Sequence, residues 1–226
     1  MIDAPALFPA AVVHAELFHD PPEQELFPGE EALVANAVEA RRREFTSVRA
    51  CARTALVRLG HPPVPILKGP HGAPSWPTGV VGSLTHCRGY RAAAVADRTE
   101  VASVGLDAEP NEVLPDRGIL PLIALPQERD RLADLALRRA DICWERLLFS
   151  AKESVYKTWY PLTGRWLDFE QAEIAIHPDT GTFHAKLLVP GPVVDGTRLD
   201  HFHGTWQARH GVLLTAITVP ARQQEM

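Results

Sequence analysis

The chain has 226 residues, 46% of them apolar and 23% charged, the balance of a folded protein with a sizeable core, which excludes a largely disordered chain. Its net charge of -5 supplies no broad basic surface for nucleic acid, and no apolar run reaches the roughly 18 residues that a membrane helix needs. Only four basic residues are lysines (Lys68, Lys152, Lys157, Lys186) against nineteen arginines, so each lysine is an uncommon choice. Cys51, Cys87 and Cys143 are odd in number and unpaired in spacing, which predicts free thiols in a reducing compartment. The first 30 residues, acidic and proline-containing, carry no signal-peptide pattern. A cytoplasmic protein with neither membrane nor nucleic acid as partner is expected.

In chain order, residues 30–59 lack Pro and Gly and predict one long helix or two abutting ones, stopped by Gly60, Pro62 and Pro63. Phe45, Val48, Ala52, Ala55, Leu56 and Leu59 form its apolar face, with Arg42, Arg49 and Arg53 along one flank and Arg41 nearer the centre. A Pro- and Gly-rich connector follows. Residues 79–86, 90–96 and 101–107 then predict a three-stranded antiparallel sheet, and 110–121 a proline-rich linker. Helices are predicted over 126–138 and 141–160, and strands over 169–176, 182–189, 199–207 and 211–219. Helix then sheet, twice over, predicts an α+β fold of two similar halves with a cleft between them, 1–110 and 111–226.

Several constellations carry chemistry. Asp107 and Glu109, two apart at the end of a strand, present their carboxylates on one side. Such a pair repels itself unless a cation or proton intervenes, and oxygen donors without His or Cys favour a hard ion such as magnesium; an exposed acidic turn is the plainer alternative. In Phe149-Ser150-Ala151-Lys152-Glu153-Ser154-Val155-Tyr156-Lys157, Glu153 and Lys157 have the spacing of an ordinary solvated helix pair. Two of the four lysines falling within six residues suggests more, because a compact ammonium does what a guanidinium does not. The loop Lys68-Gly69-Pro70-His71-Gly72-Ala73-Pro74-Ser75-Trp76-Pro77 is either a connector or a ligand clamp, and lacks nucleotide-loop spacing. Ser83-Leu84-Thr85-His86 ends a strand with groups able to donate to phosphate. His201 and His203 share a strand face and, with His210, make a weak transition-metal candidate beside plain surface histidines.

The Gly-rich loop at 69–77, Val104-Gly105-Leu106-Asp107-Ala108-Glu109 and the Phe149–Lys157 block occur in the order found in the Sfp-type (enterobactin-synthase component D-like) 4'-phosphopantetheinyl transferases. The chain resembles that family, in its actinobacterial branch, over about residues 40–170. The resemblance implies a pseudo-twofold pair of α+β halves forming one catalytic unit. It implies transfer of the 4'-phosphopantetheine arm of coenzyme A to a serine of an apo acyl or peptidyl carrier protein, by a monomeric cytoplasmic enzyme using Mg2+ or Mn2+. Asp107, Glu109 and Glu153 would hold the metal, which also grips the coenzyme A pyrophosphate. Glu153, or a water it orients, would accept the serine proton; Lys157 and Lys152 would neutralise the pyrophosphate, with Lys157 protonating the leaving phosphate. Arg41, Arg49, Lys68, Gly69, Thr85 and His86 would bind the nucleotide. Ala108 departs from relatives with a polar residue there, so a water would fill its place. A metal-dependent phosphohydrolase and a non-catalytic carrier-binding module remain the alternatives.

Overall fold

The computed structural model describes residues 6–116 and 118–222. The elements in order are β1 (Val12–Leu17), α1 (Glu39–Arg58), β2 (Val80–Cys87), β3 (Tyr90–Asp97), β4 (Val101–Pro110), α2 (Leu120–Ile123), α3 (Pro126–Arg138), α4 (Trp144–Thr163), β5 (Ala172–His177), β6 (Thr182–Leu187), β7 (Val193–Val194), β8 (Thr197–Arg198), β9 (His201–Arg209) and β10 (Val212–Pro220). The fold is α+β: one sheet runs β1-β3-β2, a second runs β4-β10-β9-β6-β5, and β7 pairs with β8. All strand pairs within these sheets are antiparallel.

α1 lays Cys51, Ala52, Ala55 and Leu56 on one face of the first sheet. α4 lays Leu147, Leu148, Ala151, Val155 and Trp159 on the second. A third apolar cluster joins the two sheets, with Ala92, Ala94 and Ala96 of β3 meeting Leu106 of β4 and Leu214 of β10. Gly164, at φ 63, ends α4 in the left-handed conformation that glycine adopts without strain.

The helix predicted from residue 30 begins nine residues later. Glu30 is fully buried and its carboxylate pairs with Arg53 at 2.9 Å. Along one straight helix those residues would stand about 35 Å apart, at 1.5 Å per residue. The chain therefore folds back over α1 through a short 3-10 turn at Glu31–Val34, and Val38 enters the helix in extended conformation.

The first sheet also differs from expectation. Its third strand is β1, which hydrogen-bonds to β3 from Val12↔Ala96 to Leu17↔Arg91. β4, predicted for that place, pairs instead with β10 from Glu109↔Leu213 to Ser103↔Val219. Val104, Leu106 and Ala108 join the cluster shared with the first sheet, whereas Ser103 and Gly105 face α4. The edge strands β2 and β4 meet side by side at Ser83, whose hydroxyl accepts from Leu106 N at 3.1 Å and donates to Leu106 O at 3.5 Å.

α4 approaches β4 closely because β4 has almost no side chain at the contact. A Cβ on Gly105 would stand 2.1 Å from Ser154 O and 2.2 Å from Thr158 Oγ1. Ser103 donates to Thr158 O at 2.9 Å, and Thr215 of β10 donates to Ser150 O at 2.9 Å. These small residues hold α4 against the strand end that carries Asp107, and so set the geometry described next.

Candidate active site

A cleft of about 340 Å³ lies between α1, the 68–74 loop, β2, β4 and α4. Pockets that take small-molecule ligands commonly begin near this size. α4 contributes Glu153, Tyr156, Lys157 and Tyr160, one face at helical spacing; α1 contributes Arg41, Phe45 and Arg49; Lys68, His71, Ser83, Thr85, His86 and Asp107 complete its charged and polar lining.

Asp107 is the floor. It is buried, its Oδ1 accepts from Lys157 Nζ at 2.7 Å and from Thr85 Oγ1 at 3.4 Å, and its buried Oδ2 has no hydrogen-bond partner among the described residues. Leaving such an oxygen unsatisfied is costly, which points to a group that the cleft is built to receive. Lys157 Nζ also donates to Leu106 O at 3.1 Å. Burial and the Asp107 charge push the Glu153 carboxyl above its ordinary range, and the same causes raise Glu109 to about 7. Glu109 stands beside Asp107 as the strand spacing predicts, but its carboxylate is turned to Arg146 of α4 at 3.1 Å. Asp107 and Glu153 thus share one end of the cleft with Lys157, while Glu109, which feels the Asp107 charge, lies outside the lining and pairs with Arg146.

The other end is cationic. Arg49 is buried, stacks 3.6 Å above the Phe45 ring and donates to Ile66 O at 3.3 Å; among the described residues no carboxylate lies within ion-pair distance of it. Burial, with Arg41 and Arg53 near, pulls its guanidinium down to about 10. A buried cation without its own carboxylate marks a place for an anion. Arg41 donates to His86 Nε2 at 2.7 Å and contacts Glu44 at 3.4 Å. Since arginine only donates, His86 Nε2 accepts and the ring proton sits on Nδ1, 3.8 Å from Glu44. Burial, then Arg41, holds this imidazole below its usual pKa.

The 68–74 loop is shaped by its own backbone. Gly69 N donates to Ala73 O at 2.7 Å and Gly72 N to Gly69 O at 3.2 Å. Gly72, at φ 80, turns the chain so that His71 and Ala73 line the cleft, with the His71 ring against Tyr160. Gly69 therefore shapes the loop, while Lys68 and residues 71–74 do the lining.

Lys152 requires a correction. Its side chain is 1% exposed, and Nζ is paired with Glu128 at 2.8 Å and donates to Phe169 O at 2.7 Å. One residue before Glu153, it is rotated about 100° around α4 and points beneath the helix, away from the cleft. The groups that sequence reasoning missed are Glu44, Tyr156, Tyr160, His71 and Arg146. Arg146 had a signal, since it precedes Glu153 by seven residues on one helix face; Glu44 had one too, three residues after Arg41.

A buried carboxylate with a free oxygen, a second carboxylate beside it and a buried arginine that has no carboxylate partner among the described residues fit an enzyme of the phosphoryl-transfer class, whose catalysis rests on charge placement. Two family descriptions match: "4'-phosphopantetheinyl transferase N-terminal domain" over residues 29–96, and "4'-phosphopantetheinyl transferase superfamily" over residues 103–210. The chain is 59% identical over 219 residues to the 4'-phosphopantetheinyl transferase Svp of Streptomyces mobaraensis, covering 96% of this chain and 89% of the relative. It is 51% identical over 221 residues to the transferase Npt of Nocardia iowensis (93% and 97% covered) and 49% identical over 223 residues to PptT of Mycobacterium tuberculosis (95% and 96% covered). The chain belongs to the 4'-phosphopantetheinyl transferase family, and the likeness to actinobacterial members holds over nearly its whole length.

Proposed function

We propose that the chain moves the 4'-phosphopantetheine arm of coenzyme A onto a serine of an apo acyl or peptidyl carrier protein and releases adenosine 3',5'-bisphosphate. The observation that carries this reading is the orphaned Asp107 Oδ2 facing a cleft whose far wall holds Arg41, Arg49, Lys68 and His86. A nucleotide with phosphates at both ends suits such a wall, and the pyrophosphate would then lie toward Lys157.

The donor set at the acidic end fits a hard divalent cation, since it offers carboxylate oxygens and no thiolate or imidazole. Asp107, Glu109 and Glu153 would hold magnesium, or manganese in its place; when bound, the ion withdraws charge from the pyrophosphate oxygens. Glu153, its carboxyl pushed up by burial and by Asp107, takes the serine proton directly or through a water it orients. The serine oxygen then bonds the phosphorus that carries pantetheine, and the bond from that phosphorus to the leaving nucleotide phosphate breaks. Lys157 stands where charge grows on the departing oxygen and supplies a compact ammonium donor. Arg41, Arg49, Lys68, Thr85 and His86 fix the nucleotide, with Gly69 acting through the loop. Lys152 takes no part.

The division into halves fits better before β4, in the Arg98–Glu100 turn, than at residue 110, because β4 hydrogen-bonds to the C-terminal strand β10. We read the enzyme as a cytoplasmic monomer that meets its carrier transiently. The buried Cys51 and Cys87 thiols, each pushed up to about 12 by burial, suit a reducing compartment, and no described helix is long and apolar enough to cross a membrane.

The test is the intact mass of an apo carrier after incubation with coenzyme A, a divalent ion and this protein. A gain of one phosphopantetheine supports transfer; breakdown of coenzyme A with an unmodified carrier supports a phosphohydrolase, and co-elution alone a binding module. Magnesium and manganese run side by side separate the two ions.

A further inference from the structure

On the face of the second sheet that does not carry α4, three imidazoles converge. His184 of β6 stands opposite His203 of β9 in the strand register, and His201 shares that face two residues earlier. The alternate residues Phe183, Ala185 and Phe202 are buried in the core shared with α4, so the histidines point to the other side. Their ring centroids lie 4.7 Å (His201 to His203), 4.9 Å (His184 to His201) and 5.0 Å (His184 to His203) apart. One ligand nitrogen from each lies within 4.8 Å of the other two. The third member is His184, and not His210, which sits in a tight turn at φ 51 with its ring against Phe18.

A second feature concerns the orientation of one ring. His201 Nδ1 is hydrogen-bonded to the Asp200 carboxylate. A carboxylate accepts, so Nδ1 carries the proton and Nε2 keeps its lone pair free. Metal-binding histidines are commonly held in this way, with the nitrogen that does not bind the metal donating to a carboxylate. We propose that His184, His201 and His203 bind a divalent transition ion of the zinc class (Zn2+, Ni2+ or Cu2+), with Asp200 orienting His201 and a water completing the coordination.

The donor chemistry selects the ion. Three imidazole nitrogens suit zinc, nickel and copper, whereas magnesium and calcium want oxygen. With metal to nitrogen distances of about 2.0–2.1 Å, a tetrahedral centre needs nitrogens about 3.4 Å apart. The nitrogens now lie within 4.8 Å of one another, so closing on an ion asks the half-exposed His184 and exposed His203 rings to turn toward His201. The ion would clip β6 to β9, so its occupancy raises thermal stability and leaves transfer in the cleft unchanged.

The experiment uses the full-length protein without an affinity tag, stripped with a chelator and titrated calorimetrically with zinc chloride in excess magnesium. Wild type is expected to take up one zinc and to gain thermal midpoint with zinc or nickel. The His184→Ala/His203→Ala double variant should lose both responses while keeping wild-type transferase activity and far-ultraviolet circular dichroism. Asp200→Asn should weaken zinc binding about ten- to hundredfold. No zinc uptake by wild type, or equal stoichiometry and affinity in the double variant, overturns the proposal. If the double variant does not fold, His201→Gln replaces it, and unchanged affinity there is the overturning result.

Discussion

α4 carries two lysines five residues apart whose surroundings differ in kind. Lys152 lies under the helix in a saturated network: Glu128 accepts its ammonium, Leu125 N at 2.7 Å and Ile174 N at 2.6 Å, and both side chains are 1% exposed. Lys157 lies in the cleft, 27% exposed, against an aspartate with one oxygen unspoken for. The first pair also has a counterpart in the other half. Glu30 accepts Arg53 of α1, Phe27 N at 2.8 Å and Ile66 N at 2.7 Å. Each half thus buries one glutamate that takes an amide three residues back, a remote amide and a cation from its long helix. The comparison separates two uses of charge: where both carboxylate oxygens are engaged, the ion pair holds elements together, and where one oxygen is left over, the site awaits a ligand.

Breaking the saturated pair should have the largest effect. Lys152→Ala leaves Glu128 buried and unpaired, and a loss of about 3–5 kcal/mol is expected in denaturant unfolding. Replacing both partners, Glu128→Leu with Lys152→Met, should recover only part of that loss, since it removes the uncompensated charge but leaves Leu125 N and Ile174 N without their acceptor. In folded protein at low temperature, KM for coenzyme A should be unchanged in both variants. A raised KM with normal stability would falsify the structural role and return Lys152 to the cleft.

The unsaturated side should respond in the opposite manner. Asp107→Ala and Glu153→Gln are expected to lower kcat/KM by at least roughly 10²–10³-fold, as when one preorganised electrostatic group is removed. Asp107→Ala also removes a buried oxygen that has no partner, so its unfolding midpoint should stay near wild type. Steady-state transfer and denaturant melts on the same samples check both halves of the statement. Wild-type turnover in either variant removes the assignment.

These two lysines also show what the sequence makes legible. Periodicity is local, so α3, α4, β2, β3 and the four long strands of the C-terminal half could be read within a few residues. Partner choice is not local. That β1 takes the edge of the first sheet, and that β4 joins β10 more than a hundred residues away, depends on which apolar faces meet. α1 begins late because of a bond between Glu30 and Arg53 that no window of sequence contains. Scarcity of lysine drew attention to Lys152 and Lys157 alike, and only Glu128, 24 residues before the former, tells them apart.

A gentler perturbation keeps the charge of Lys157 and changes its shape. Lys157→Arg retains a cation beside Asp107, but its planar fork spreads the donors and cannot present the compact ammonium that meets both Leu106 O and Asp107. A fall of roughly 10-fold in kcat, with KM for coenzyme A nearly kept, is expected if the ammonium serves the leaving phosphate. An equal rise in KM with kcat retained would make Lys157 a ground-state binder instead.

The smallest effect reads the crowding of carboxylates directly. Glu109 in the folded protein is raised from an ordinary 4.5 to about 7, by burial first and by Asp107 next. Between those two values the folded state holds a proton that the unfolded state has released, so stability falls as pH rises through this window and levels off above it. Glu109→Gln carries no titrating group there. The wild-type minus variant difference in unfolding free energy should therefore decline from about pH 4.5 to 7, by on the order of 1 kcal/mol once solvent screening is allowed for. Saturating magnesium should flatten the decline, because a cation among the three carboxylates stabilises the charged form that burial disfavours. A flat difference curve in metal-free protein would mean that Arg146 alone neutralises Glu109, and the acidic end of the cleft would lose one of its three reasons to bind a divalent ion.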